Sequence, residues 1–300
     1  MSKKTSRILS AIMSQVTNRS SFETLGVTRY RQLLEKSARI FKIGPDIHVE
    51  SIKICGRKAE WLTPLEHDNK RIIVYVHGGG FIAGSINSHR DLASRIARAA
   101  KARLLIFNYR LAPEHPFPAG FDDVKQIYQW VIKQFDHSHH ICLAGDSAGA
   151  GLALSLLSDL LTHKEPLPKC AVLLSPWTDL ECKNNSHSQN REKDFMLNQN
   201  ALKTTARLYT NKDLAFPLIS PINHSFKGIP PILIQVGENE VLLDDSTLLA
   251  KKIKQDNGFV QLEIWDEMFH VWHYFGKYLS EARDAVTRVG EFIQSYSKCP

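Results

Sequence analysis

The chain has 300 residues and a formal net charge of +7, with 43% hydrophobic and 23% charged residues. That composition is globular and long enough to bury a large core; no apolar run approaches the roughly 20 residues of a membrane span, so stable membrane insertion is excluded. Residues 1–60 hold 12 Lys/Arg and 5 Asp/Glu, so they carry the whole excess of +7. No nucleic-acid motif or aromatic–basic interleaving accompanies that charge, which reads as a solvated face rather than a nucleic-acid site.

The N-terminus opens on Lys3, Lys4 and Arg7, but Ser10, Ser14 and Gln15 interrupt the apolar residues after them, so no secretory signal is expected. Ile8, Leu9, Ile12, Met13 and Val16 share one helical face, and Leu33, Leu34, Ile40 and Phe41 extend the helical pattern to a stop at Gly44-Pro45. Ile47 to Ile54 alternates as an edge strand does, and Ala59 to Leu65 is expected to pair with it. Ile72–Val76 is an unbroken apolar run, as in a strand covered on both faces, and Leu104–Phe107, Ala171–Leu174, Ile232–Val236 and the short run His140–Ala144 follow the same pattern, with Gln235 and His140 their polar members. Gln261–Trp265 reads as the last strand. Helical stretches lie between these runs at Leu92–Ala100, Asp123–Phe135, Leu152–Leu161 and Ser246–Gln255, the last ending at Asn257-Gly258. The alternation predicts an α/β fold with a mostly parallel sheet, helices on both faces, and a site at the carboxyl ends of the strands. Residues 181–226 break the pattern with a polar loop and one helical stretch, Leu197–Leu208, and read as an insertion over those strand ends. Five scattered cysteines without C-x-x-C pairing suit a reducing compartment, and a cytoplasmic protein is expected.

The chain's chemistry centres on Gly145-Asp146-Ser147-Ala148-Gly149, which joins a strand to a helix. Such a turn holds a serine hydroxyl exposed at a helix N-terminus, as a nucleophile requires. His77-Gly78-Gly79-Gly80 comes directly after another strand and leaves backbone amides unshielded by side chains. Amides of Gly78 and Gly79, with that of Ala148, are candidates for holding a developing oxyanion. No Gly-Lys-Ser/Thr comes after the glycines, which argues against a phosphate loop. A serine needs a base, and His270, after the last strand, is the candidate; His273 is expected in the next helix. His137, His139 and His140 precede the serine and read as a solvated turn. The acid belongs after the strand Ile232–Val236, where Glu238, Glu240, Asp244 and Asp245 stand. Asp244 and Asp245 lie at a helix start and have a capping role open to them, while position alone does not separate Glu238 from Glu240.

His77-Gly78-Gly79-Gly80, Tyr109-Arg110-Leu111-Ala112-Pro113-Glu114, Gly145-Asp146-Ser147-Ala148-Gly149 and Met268-Phe269-His270, in that order, resemble the hormone-sensitive-lipase-like bacterial esterases of the α/β-hydrolase fold. The resemblance spans residues 45 to the C-terminus. It implies a hydrolase core at 46–300, interrupted at about 181–226, with residues 1–45 and the insertion forming a helical cap. The family's acid is usually the first Asp of Asp-x-Leu-x-Asp; Glu240-Val241-Leu242-Leu243-Asp244 occupies that segment, so Glu240 matches the acid with Glu in place of Asp. The implied activity is hydrolysis of short- to medium-chain acyl esters through an acyl-enzyme, with a Ser147–Glu240–His270 triad, no cofactor and no metal. The partner implied is a small ester, and a homodimer is left open. Lactone or amide hydrolysis by the same triad is the alternative, and a non-catalytic receptor on the same fold is a more distant one, since fold does not fix substrate.

Overall fold

The computed structural model describes residues 22–135 and 141–297. Eight strands form one sheet in the order β1-β2-β4-β3-β5-β6-β7-β8. The first two, β1 (Ile47–Ile54) and β2 (Arg57–Pro64), make the hairpin that period-two alternation predicts, with Ile47 opposite Pro64. β2 runs antiparallel to β4 (Ala102–Phe107), and from there every pairing is parallel. β3 (Asp68–Val76), β5 (Ile141–Asp146), β6 (Cys170–Leu174), β7 (Ile232–Gly237) and β8 (Val260–Trp265) complete it.

The unbroken apolar runs face two cores. Along β3, Ile72, Val74 and Val76 enter one core while Ile73 and Tyr75 enter the other. The first core is covered by the helices Ala119–Phe135, Ser147–His163 and Leu243–Gln255, and the second by Ile86–Ala100 and Ser280–Tyr296. The short strands β5 and β6 are buried throughout because a helix lies over each face.

The N-terminal helical stretch ends earlier than expected. Among the described residues it comprises Phe22–Leu25 and Val27–Ala38, split at Gly26, and it ends at Ala38 before the expected stop at Gly44. Gly26 has φ +74°, which breaks the helical path. The apolar face at Ile8–Val16 and the histidines at 137, 139 and 140 lie outside the described residues. The insertion carries the short helix Ser186–Gln189, the helix Gln199–Tyr209 and a 3₁₀ turn at Pro221–Asn223, with no strand among its described residues. His273 falls in a 3₁₀ turn, Trp272–Phe275, rather than in the helix that begins at Ser280.

Candidate active site

β5 ends at Asp146, and the helix Ser147–His163 begins at the next residue. No connecting residues intervene, so Ser147 takes φ +52°, a left-handed conformation that costs a side-chain-bearing residue about 1–2 kcal/mol. The turn is this tight because Gly149 has no side chain. A methyl group there would collide with the carbonyl oxygens of Val76 and His77. The helix therefore starts against the end of β3, and the serine side chain stands between the two strand ends.

His270 comes from the loop after β8. Its Nε2 lies 2.9 Å from Ser147 Oγ, and its Nδ1 lies 2.8 Å from Glu240 Oε2. The other carboxylate oxygen of Glu240 accepts the Gly237 N–H at 2.6 Å and the Ser175 hydroxyl at 2.7 Å. Ser175 also accepts the Val271 N–H at 3.2 Å, so one hydroxyl ties the glutamate loop to the histidine loop. Glu240 is fully buried and His270 nearly so. Burial disfavours the imidazolium, but the hydrogen bond and charge of Glu240, with Asp194 and Asp146, outweigh it, and the pKa of His270 is raised above 6.5. Neutral His270 is the form that accepts a proton from Ser147. The acid limb of kcat/KM is therefore expected at an apparent pKa above 6.5, with activity lost as pH falls through it. A pH–rate profile checks this, and a limb well below 6.5 contradicts it.

His273, the second histidine of that loop, is bonded at 2.9 Å to Gln235 Oε1 and takes no part in this relay. Burial, with the nearby Arg95 charge, lowers its pKa to about 3. His77 is likewise lowered to about 3 by burial and by His89; its ring stacks on Tyr109, 4.3 Å between centroids.

Among the three expected oxyanion donors, Gly78 is corrected. Its N–H donates to Asp146 Oδ1 at 3.1 Å, with His89 Nε2 at the same distance, and so points into the protein rather than toward Ser147. Asp146 also accepts from Tyr75 at 2.7 Å and Tyr274 at 3.1 Å. Burial opposes its charge, but His89 and the hydrogen bonds from His89 and Tyr75 prevail, and its pKa falls to about 2. Asp146 is thus the anchor of the glycine loop. Among the described residues, the amides of Gly79 and Gly80 have no backbone partner, and that of Ala148 lies in the first turn of its helix, where no intrahelical acceptor is available.

The expected capping by Asp244 and Asp245 is also corrected. The helix begins at Leu243, which places both in its first turn rather than at its N-cap. Asp244 accepts the Ser186 N–H at 2.8 Å, and Asp245 accepts those of Thr178 and Asp179 at 2.7 and 2.9 Å. Both hold the insertion's leading segment. Sequence reasoning did not single out Ser175, Asn190 or Asp194. Asn190 donates to the carbonyls of Glu238 and Glu240 at 3.0 and 2.8 Å. The partners through which they reach the catalytic loops lie 47 to 96 positions away, so no local pattern shows that role.

Helix Val27–Ala38 is tied to the loop after the glycines. Arg31 donates to the Ile82 and Ala112 carbonyls at 2.6 and 2.7 Å and to both oxygens of Glu114. Ser85 donates to Glu35. On the other side, Phe81 stacks on Tyr209 at the end of helix Gln199–Tyr209, with centroids 3.9 Å apart.

The fold, with this serine at a strand–helix turn, defines an α/β-hydrolase, and residues 73–274 match the family model of the α/β hydrolase fold. The chain belongs to the hormone-sensitive-lipase-like esterases within it. An acetyl-hydrolase of Streptomyces hygroscopicus is 41% identical over 238 residues, 79% of each chain. The crystal structure of the esterase EstE5 soaked with p-nitrophenyl butyrate has a TM-score of 0.93 and 39% identity, covering 99% of both chains. An esterase structure described as from the bacterial hormone-sensitive lipase family has a TM-score of 0.94 and 35% identity, covering 99% of this chain and 100% of that one. None of the described helices is long and apolar enough to cross a membrane.

Proposed function

We propose that this chain, a serine ester hydrolase, cleaves short- to medium-chain acyl esters through Ser147, His270 and Glu240. The observation that carries the reading is the unbroken relay of 2.9 and 2.8 Å from Ser147 Oγ through the two nitrogens of His270 to Glu240. His270 Nε2 takes the Ser147 proton as Oγ attacks the ester carbonyl. Glu240 accepts from Nδ1–H, fixes the tautomer and offsets the imidazolium charge. The amides of Gly79, Gly80 and Ala148 hold the oxyanion. His270 then protonates the leaving alcohol, and water, activated by the same nitrogen, releases the acid from the acyl-enzyme. A butyrate ester soaked into a close structural relative supports the acyl size. Four free thiols among the described residues, Cys55, Cys142, Cys170 and Cys182, support the cytoplasmic reading.

The helices Val27–Ala38 and Gln199–Tyr209 act as a cap over the acyl site; the Arg31 and Phe81–Tyr209 contacts support this. A panel of p-nitrophenyl esters from acetate to palmitate tests the whole reading, with the optimum expected at butyrate or shorter-than-octanoate chains. Deleting residues 1–40 is expected to shift that optimum or to expose apolar surface. Arg31→Ala, which removes four hydrogen bonds, should shift it in the same direction. An unchanged profile in a monodisperse truncated protein rejects the cap role, and no ester turnover at any chain length rejects the function.

A further inference from the structure

The insertion also reaches the catalytic loops from beneath. Asp194 stands just before helix Gln199–Tyr209 and is 5% exposed. Its Oδ2 accepts the N–H of Val241, the residue after Glu240, at 2.9 Å. Its Oδ1 accepts from Met196 and Leu197 at 2.9 and 3.0 Å. The next residue, Phe195, packs its ring on Phe269, immediately before His270, with centroids 4.7 Å apart. Met196 packs against the same cluster, which contains Met268, Phe269 and Trp272. Residues 194–196 therefore touch both the loop that bears the acid and the loop that bears the base.

Holding these loops does not require a charge. Asn190, neutral, already grips the carbonyls of Glu238 and Glu240. Accepted N–H bonds ordinarily hold a carboxyl's pKa low. At Asp194 burial, with the charge of Glu240, prevails over these bonds and over His270, and the pKa is pushed up to about 6. Besides the N–H bonds from Val241, Met196 and Leu197, a positive charge on His270 offsets the cost of burying this carboxylate. The cation is the His270 imidazolium, formed once in each chemical step. His270 is faced by Glu240, Asp194 and Asp146, with His273 on the next turn; Asp194 is faced by His270 and Glu240. Asp146 stays ionised across the working range, since its pKa is about 2.

We propose that Asp194 is a positioning residue that fastens the acid loop to the insertion and lends a second negative charge to the His270 imidazolium during ester hydrolysis, a role that rests on the mechanism proposed above. The cap and the relay are thereby joined through one side chain.

Asp194→Asn removes the charge and one acceptor: its carbonyl oxygen stays with the Met196 and Leu197 N–H groups and its NH₂ meets the Val241 N–H, so Asn190→Ala, which loosens the same loop with no change of charge, is its control. In kcat/KM profiles for p-nitrophenyl butyrate from about pH 5 to 9, the acid limb of Asp194→Asn is expected about 0.5–1 unit below wild type. The plateau above the limb should fall about three- to tenfold, because a less basic imidazole is a poorer proton acceptor, with KM changed less than about twofold. Asp194→Glu, which retains the charge, should keep the wild-type limb to within about 0.2 unit. Asn190→Ala, which removes neutral bonds only, should lower the melting temperature and leave the limb in place. A limb in Asp194→Asn that coincides with wild type overturns the proposal, as does an equal shift in Asn190→Ala. If Asp194→Asn does not fold, Asp194→Ser, which is neutral and keeps a hydroxyl as acceptor, decides: a limb lowered by about half a unit or more supports the charge, and an unmoved limb overturns it. NMR titration of the His270 imidazole reads the same shift without turnover. Failure on every ester would thus sink the hydrolase reading separately from the coupling between Asp194 and His270.

Discussion

Ser147→Ala is expected to lower kcat by about 10⁶ while leaving the fold intact, as loss of the nucleophile does where serine and base act as a unit. The substitution removes one hydroxyl, and the alanine keeps the φ of +52° that the turn imposes. His270 Nε2 loses its partner, but the ring retains the 2.8 Å bond to Glu240. The melting temperature should therefore stay near that of the wild type. Mass spectrometry of the wild type with a slowly released ester should find one acyl adduct, and none in the variant. Turnover of p-nitrophenyl butyrate near the wild-type rate in Ser147→Ala would remove the mechanism and return the receptor reading to consideration.

The parts of the molecule legible in the sequence are those whose determinants are consecutive. The strands Ile72–Val76 and Ile232–Val236 could be read because burial on both faces leaves them almost wholly apolar, Gln235 being the one polar residue in the two runs. Ser147 could be placed because strand, turn and helix succeed one another within a few residues and Gly149 marks the close approach to β3. The amide directions in His77–Gly80 could not be read. They depend on Asp146 and His89, and a glycine pattern does not state which N–H an anion 68 residues away will claim. The reach of Asp244 and Asp245 was hidden for a related reason. A carboxylate in a helix's first turn has a local use, and only the folded chain brings the amides of Ser186, in the insertion, and of Thr178 and Asp179, just before it, within range. Asp194 bonds locally to Met196 and Leu197, as an aspartate in any turn can, and that pattern does not show its reach to Val241. Local chemistry was readable, whereas the layer that orients it is tertiary.

Glu240→Gln is the second large effect, with kcat expected to fall by about 10⁴. The neighbours decide which way the amide turns. Oε1 of Glu240 accepts from two donors, the Gly237 N–H and the Ser175 hydroxyl. A glutamine must place its carbonyl oxygen there, because an NH₂ group would face the backbone donor and leave it unpaired. Its NH₂ is then forced toward His270 Nδ1. That nitrogen must accept, which moves the ring proton to Nε2, and Nε2–H cannot take the Ser147 proton. The acid limb should also fall below the wild-type value, since the hydrogen bond and charge that raise the His270 pKa are lost. KM should change little, because the carboxylate does not face the ester. Glu238→Gln and Asp244→Asn are the comparisons. Glu238 is exposed and accepts the Glu267 N–H at 3.1 Å, and Asp244 serves Ser186. Asp244→Asn should cost about 1 kcal/mol of stability with kcat within severalfold of wild type. Melting temperature and kcat measured together separate the three. A collapse of kcat in Asp244→Asn beside a nearly active Glu240→Gln would move the acid to Asp244, although no hydrogen bond joins that carboxylate to His270 among the described residues.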